Sequence, residues 1–220
     1  MTNIITYGAV ILASFLLGSF PTAFLVVRQI KGIDIRTVGS QNVGATNAGR
    51  ILGNQWFIII MLIDALKGAA ACFLMMIVMN ISGLHEGDFF SKGVPIILAG
   101  TAAILGHTFT PWLGFKGGKG VATAFGVFLV LATVTTLICA IIFSLIVLLT
   151  RYISLGSILA ALTLPVGIFI ELRPFHHDGK NAIVLFFIAV AIAIFITVKH
   201  RDNITRLLQG KENKFGQSKE

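Results

Sequence analysis

The sequence predicts an all-α integral membrane protein with seven transmembrane helices, its N-terminus outside and its C-terminus cytoplasmic. Three observations predict it. Of 220 residues, 56% are hydrophobic and only 12% are charged, against about a quarter charged in a soluble domain. Apolar runs recur near the ~20 residues that a helix needs to cross a bilayer, and the mean hydropathy is +0.92. The Lys and Arg residues gather in alternate loops, as they do on the cytoplasmic side of membrane proteins.

Ile4–Val27 is the first span, with Pro21 near its far end. It has no basic leader and no small-residue cleavage site, so it reads as a retained span rather than a signal peptide. Trp56–Ile81 is the second span and Val94–Thr110, which is short, is the third. Val121–Leu149 is too long for one helix and barely long enough for two. Ile153–Ile170 and Ile183–Val198 complete the set.

Parity decides the ambiguous segment. Arg28, Lys31, Arg36 and Arg50, then Lys116 and Lys119, then Arg151, then the basic tail from Lys199 share one side only if Val121–Leu149 crosses twice. The other side keeps Lys92, Arg173 and Lys180 against Glu86, Asp88, Glu171 and Asp178. The sequence therefore predicts two short helices turning near Ala132–Thr136, each covering about 20–22 Å at 1.5 Å per residue. Residues 1–220 then form a single transmembrane domain with polar segments at 34–50, 106–123 and 199–212. The net charge of +8 fits basic loops facing an anionic leaflet better than nucleic acid. Cys72 and Cys139 stand alone in apolar runs, where a thiol is a small apolar filler.

Two glycine-rich cationic stretches interrupt the apolar pattern. In the first, Gly39 to Arg50, glycines recur at 39, 44 and 49, with Ser40, Asn42, Thr46 and Asn47 between them. The second is Gly114-Phe115-Lys116-Gly117-Gly118-Lys119-Gly120. Glycine lets backbone amides converge without a Cβ in the way, and Ser, Thr, Asn, Arg and Lys add donors and charge. That mixture suits a phosphate. Neither stretch is a nucleotide motif: Leu113 sits where the first glycine of a P-loop belongs, and Gly120 replaces its Ser/Thr. A third polar stretch, Lys199 to Leu208, has Ile204, Leu207 and Leu208 at the spacing of an amphipathic helix, which would put His200 and Asn203 on one face. The charge count places all three stretches on the cytoplasmic side.

Asp64 and Lys67, three apart inside the second span, can neutralise each other or mark a functional site. His107 at the end of the third span reads as a helix-end hydrogen-bonder. His176-His177-Asp178 resembles a metal cluster but has no further ligand nearby in sequence. A small transporter would place its polar groups near the bilayer midplane, whereas here only Asp64 and Lys67 lie deep. A non-catalytic lipid-binding protein would not need the donor array of Ser40–Arg50.

Together these stretches resemble the bacterial membrane-embedded acyl-phosphate:glycerol-3-phosphate acyltransferases, the PlsY family. The resemblance rests on Gly18-Ser19-Phe20-Pro21, Asp34-Ile35-Arg36 and Gly39–Arg50, on Gly106-His107 through Lys116–Thr123, and on Lys199-His200-Arg201 through Asn203, Arg206-Leu207-Leu208, Gly210 and Glu212. Gln41 departs from the family, which commonly has glycine there. The resemblance implies acyl transfer from acyl-phosphate to the 1-hydroxyl of glycerol-3-phosphate, giving lysophosphatidate and inorganic phosphate, the first acylation of phospholipid synthesis. It implies no metal or organic cofactor, and a bacterial inner-membrane enzyme with its active site facing the cytoplasm. The implied partners are the two substrates, membrane lipids and a transient supplier of acyl-phosphate.

It further implies catalytic roles for Ser40, Arg50, Lys119, His200 and Asn203. Asn42, Thr46, Lys116, Gly117, Gly118 and Gly120 would bind substrate, and Glu212 would be structural. The backbone amides of 117–120 are expected to face phosphate or the developing oxyanion. Two roles stay open in the sequence: His200 as base or as orienting group, and Ser40 as phosphate ligand or as nucleophile.

Overall fold

The computed structural model describes residues 2–82, 93–172 and 180–216. Among these, ordered structure is helical throughout, and no strand is present. The expected outward segments, with Glu86, Asp88, Lys92, Arg173 and the His176-His177-Asp178 group, lie outside the described residues, as does Lys219. The helices form two compact units, residues 1–131 and 132–220.

In the first unit the opening span is not one helix. α1 (Thr2–Ser19) stops at Phe20, and α2 (Thr22–Lys31) restarts after Pro21. Proline has no amide hydrogen, and it disfavours helical backbone in the residue before it. The break exposes polar backbone inside an apolar bundle, and neighbouring elements satisfy it. Thr110 Oγ1 donates to the Ser19 carbonyl at 2.6 Å, and Lys67 Nζ donates to the Phe20 carbonyl at 3.0 Å. Trp112 Nε1 donates to Ser19 Oγ at 2.9 Å.

The remaining elements of this unit are α3 (Ala45–Leu52), α4 (Asn54–Ile81), α5 (Gly93–Thr108) and α6 (Val121–Leu131). Their crossings are set by small residues. A Cβ on Gly18 would overlap the Ala103 carbonyl, and one on Gly106 the Phe15 carbonyl, so α1 and α5 meet backbone to backbone. Gly68 and Gly126 do the same for α4 and α6, facing the carbonyls of Thr123 and Ala65. In lipid no hydrophobic force separates helix from solvent, and close backbone approach supplies the packing.

In the second unit, α7 (Thr133–Thr150), α8 (Ile153–Leu172) and α9 (Lys180–Lys199) are apolar, and the eight-residue α10 (Arg201–Leu208) follows. The Glu171 carboxylate caps α7, accepting from the amide of Thr135 at 2.9 Å and from its hydroxyl. The carboxyl-terminal tail returns to the α7–α8 turn, where the Phe215 amide donates to the Arg151 carbonyl at 2.7 Å.

Among the described residues, six helical stretches are long and apolar enough to cross a membrane: Ile4–Lys31, Asn54–Ile81, Gly93–Leu113, Thr133–Thr150, Ile153–Leu172 and Asn181–Lys199. Val121–Leu131 is apolar but shorter. The segment 121–150 does divide, at Ala132 (φ −150°, ψ 72°). It divides unequally, into 11 and 18 residues, or about 16 and 27 Å at 1.5 Å per residue, not into two matched halves. Many of the exposed side chains are large and apolar, among them Leu148, Leu149, Leu62, Ile77 and Ile170. Water would penalise that surface, whereas a hydrocarbon phase accepts it. Cys72 and Cys139 are free and buried, as fillers should be.

Gly126→Val should force α4 and α6 apart. Overpacking typically costs about 1–3 kcal/mol, so the melting temperature in detergent should fall by several degrees; an unchanged midpoint would deny the close crossing.

Candidate active site

The first polar stretch is a folded loop whose shape depends on Asn47. Its fully buried amide makes three hydrogen bonds at once. Oδ1 accepts from the Ser40 amide at 2.9 Å, and Nδ2 donates to the carbonyls of Ile35 (3.1 Å) and Val38 (3.0 Å). The chain seven residues earlier is thereby tied to the start of α3, and Ser40 is held in place through its own backbone. Gly44 caps α3 in extended conformation. The amides of Ala45 and Thr46 at its first turn have no carbonyl one turn earlier to bond, which makes a helix start suited to anions.

Before the loop, Asp34 caps a short 3₁₀ turn (Ile35–Thr37) by accepting from the Arg36 amide at 2.8 Å. It also pairs with the Arg36 guanidinium at 2.7 Å. The hydrogen bonds from Arg36 hold the Asp34 carboxyl below the usual carboxylate range. Asp34 is therefore committed to loop structure. Gln41 adopts φ 60°, in the left-handed region that favours glycine and costs other residues roughly 1–2 kcal/mol. That conformation gives a physical reason for glycine at this position.

The second stretch turns back over the end of α5. Gly117 and Gly118 are glycines because of His107: a Cβ on Gly117 would overlap the His107 carbonyl, and one on Gly118 the imidazole at Nε2. Their amides are already engaged, Gly117 with the Thr108 carbonyl at 3.0 Å and Gly118 with that of His107 at 3.1 Å. The expectation that all the amides of 117–120 face a substrate is thus corrected at 117 and 118, where they hold the loop to α5. Lys119 is half-buried and Lys116 exposed, and Gly120 takes φ 82°.

These two loops meet. A cleft with about 190 Å³ of empty space, part of it open to solvent, is lined by Val43 from the first loop and Gly117 and Gly118 from the second. Thr110, Pro21, Thr22, Ala23, Asp64 and His107 complete its wall. Ser40, Asn42, Thr46 and Arg50 are half-buried in the first loop.

Under the cleft lies a buried charged group. Lys67 Nζ is 2.8 Å from Asp64 Oδ1 and 2.9 Å from His107 Nδ1. Thr22 Oγ1 donates to the same Asp64 oxygen at 3.1 Å. The mutual neutralisation of Asp64 and Lys67 open in the sequence is present, but the pair does more than cancel charge: it reaches the helix break and His107. Sequence reasoning read Asn47 as one donor among several and passed over Thr110 and His107 as site-forming residues. The one available signal was charge inside a span, at Asp64 and Lys67.

In the second unit, His200 and Asn203 are both buried at the start of α10. His200 Nδ1 lies 2.8 Å from the Ile196 carbonyl, which can only accept, so Nδ1 carries the proton. Glu212 gathers the rest, accepting from Asn203 Nδ2 (2.7 Å), Ser154 Oγ (2.9 Å) and Arg206 Nε (2.7 Å). Burial pushes the Glu212 carboxyl up. The bonds from Asn203, Arg206 and Ser154 outweigh it and hold the group below its ordinary value.

The family model for glycerol-3-phosphate acyltransferase matches residues 8–210. The glycerol-3-phosphate acyltransferase of Fusobacterium nucleatum subsp. nucleatum is 40% identical over 205 residues, covering 93% of this chain and 96% of that protein. The enzyme of the same name from Shouchella clausii is 40% identical over 215 residues, covering 97% and 98%. Among solved structures, PlsY, an integral membrane glycerol 3-phosphate acyltransferase, in its glycerol 3-phosphate form aligns with TM-score 0.78 and 34% identity over 96% of both chains. Its lysophosphatidic acid form aligns with TM-score 0.77 and 33% identity, again over 96% of both.

Asn47→Leu removes the three hydrogen bonds of this buried amide at near-constant volume. At about 1 kcal/mol each, it should destabilise by roughly 3 kcal/mol and speed amide exchange at 38–41; unaltered exchange would show that Asn47 does not hold the loop. Glu212→Gln should cost about 1–3 kcal/mol at neutral pH. A depressed carboxyl contributes stability above its unfolded value, near 4.5, and loses it as pH falls through the lower folded value. The difference in melting temperature between wild type and variant should therefore shrink on acidification below about 4.5; a difference that grows there would reverse the assignment.

Proposed function

The chain belongs to the glycerol-3-phosphate acyltransferase family, and from that premise we propose that it transfers a fatty acyl group from acyl-phosphate to the 1-hydroxyl of glycerol-3-phosphate. The observation that carries this reading is the meeting of two phosphate-suited loops, Ser40–Arg50 and Lys116–Gly120, at one cleft.

Acyl-phosphate is a mixed anhydride, so its carbonyl carbon is already activated. The glycerol hydroxyl oxygen attacks that carbon and a new ester C–O bond forms. The bond from the acyl carbon to the phosphate oxygen breaks, and phosphate leaves with the electron pair. The hydroxyl proton passes to the departing phosphate. The products are lysophosphatidate and inorganic phosphate. What the protein must supply is two anions held in line and charge to offset their repulsion. Arg50 grips a phosphate with two parallel hydrogen bonds, and Lys119 acts as a point charge. Ser40, Asn42 and Thr46 donate to phosphate oxygens, with Lys116 at the rim. Gly117, Gly118 and Gly120 shape the floor against which the substrate rests.

His200 and Asn203 are assigned the orienting of the hydroxyl. The Nδ1 proton of His200 is engaged by the Ile196 carbonyl, so the neutral ring carries its lone pair on Nε2, the form that accepts rather than donates. Glu212 is structural. In this reading residues 1–220 work as one domain. The chain crosses the bacterial inner membrane seven times, with Val121–Leu131 as the short span, N-terminus outside and all three polar stretches cytoplasmic. It needs no cofactor and takes acyl-phosphate from a transient supplier.

Purified protein given both substrates should release phosphate in step with lysolipid; phosphate release without lysolipid, or no turnover, would end the proposal. Arg50→Lys should lower kcat/KM roughly 10–100-fold, the worth of one charge-assisted pair. His200→Ala should cost less than the ~10²–10⁴-fold of a positioned base and leave the pH profile in place. A full loss with a vanished ionisation would make His200 the base.

A further inference from the structure

The buried group under the cleft fixes the state of a residue that the reaction above does not use. Lys67 is surrounded by three acceptors: Asp64 Oδ1 at 2.8 Å, the Phe20 carbonyl at 3.0 Å and His107 Nδ1 at 2.9 Å. A carboxylate and a carbonyl can only accept. The negative charge of Asp64, in contact and only 3% exposed, keeps Lys67 an ammonium. Its three protons match three acceptors, and the third points at His107 Nδ1. That nitrogen must present its lone pair. The neutral imidazole therefore carries its own proton on Nε2.

Nε2 sits at the cleft. His107 lines it beside Gly117 and Gly118, and Nε2 occupies the place that a Gly118 side chain would take. The side chain is 9% exposed. Nε2 has no hydrogen-bond partner among the described residues. A donor that opens on the cleft, in a ring whose other nitrogen is locked, is completed by an acceptor from outside the chain.

We propose that His107 contacts substrate: its Nε2–H, held in that tautomer by Lys67, donates a hydrogen bond to a phosphate oxygen seated against Gly117 and Gly118. Asp64 and Lys67 are positioning residues that act through it. The inference rests on the acyltransferase reading, which supplies the phosphate. Both substrates carry that chemistry, and the experiment separates them.

The full chain is labelled with ¹⁵N-histidine in detergent, and a two-bond ¹H–¹⁵N spectrum is recorded; His107→Gln identifies its signals among those of the five histidines. His107 should show the Nε2–H pattern. Glycerol-3-phosphate and a non-hydrolysable acyl-phosphonate, each added alone, decide whose phosphate is bound by which one moves the Nε2 resonance. Lys67→Met should abolish the tautomer preference with the other histidine signals unmoved. In kinetics, His107→Phe should raise KM for that same substrate roughly 10–100-fold, the worth of a hydrogen bond to a charged group. His107→Gln, which keeps an N–H, should restore part of it. A protonated Nδ1 in the wild type, an Nε2 resonance deaf to both ligands, or His107→Phe with wild-type KM values would each overturn the proposal. Turnover by the wild type alongside any of these would leave the acyltransferase reading standing, whereas absence of turnover strikes that reading first.

Discussion

A single ammonium group inside α4 is the interaction on which the first unit's site depends. Lys67 lies within a stretch that lipid would otherwise surround, and burying a charge there is costly unless it is paired and hydrogen-bonded. Asp64 supplies the pairing one turn away. The remaining protons of Lys67 go to places that need an outside donor or an orienting group. One is the Phe20 carbonyl at the break between α1 and α2, and the other is the ring of His107 under the glycine loop. The same charge thus ties the kinked first span to the second loop. Thr110 and Trp112 tighten that tie from the loop side, so the floor of the cleft is fixed by long-range polar contacts and not by loop sequence alone.

Such contacts need the helices close together, and small residues provide this. Gly18, Gly106, Gly68 and Gly126 each face a carbonyl on a neighbouring helix where no Cβ would fit. With backbones this near, a lysine on α4 reaches α1 and α5 together. The glycines of the second loop extend the same logic. Gly117 and Gly118 lie flat on His107, so their lack of a side chain serves packing against an imidazole before it serves any ligand.

The spans were legible because hydropathy over ~20 residues is a sum and tolerates local irregularity. For the same reason the interruption at Phe20–Pro21 was not. Pro21 was visible, but whether a proline kinks a helix or ends it depends on partners that satisfy the freed carbonyl, and here those lie 47 and 91 residues away. The division of 121–150 was foreseen from charge parity, yet its inequality was not, since parity counts crossings and carries no length. The glycine spacing of 39–49 marked a special loop, while the residue that shapes it, Asn47, was read as one donor among several. Its fully buried position and three partners are properties of the fold. The tail was better served: the amphipathic spacing of 204–208 and a structural Glu212 both have counterparts in α10 and in the bonds that Glu212 accepts.

The two histidines illustrate what composition cannot carry. A neutral imidazole offers one donor and one acceptor, and the partner of the inner nitrogen decides which of them faces outward. At His200 the inner partner is the Ile196 carbonyl, which claims the proton and leaves a lone pair on Nε2. At His107 the inner partner is an ammonium, which claims the lone pair and leaves a proton on Nε2. The same residue type is thereby turned into an acceptor in one unit and a donor in the other. In the acyl transfer proposed above, anionic phosphate oxygens need donors and the attacking hydroxyl needs an acceptor. The difference is written in a backbone carbonyl and a buried lysine rather than in the imidazole itself.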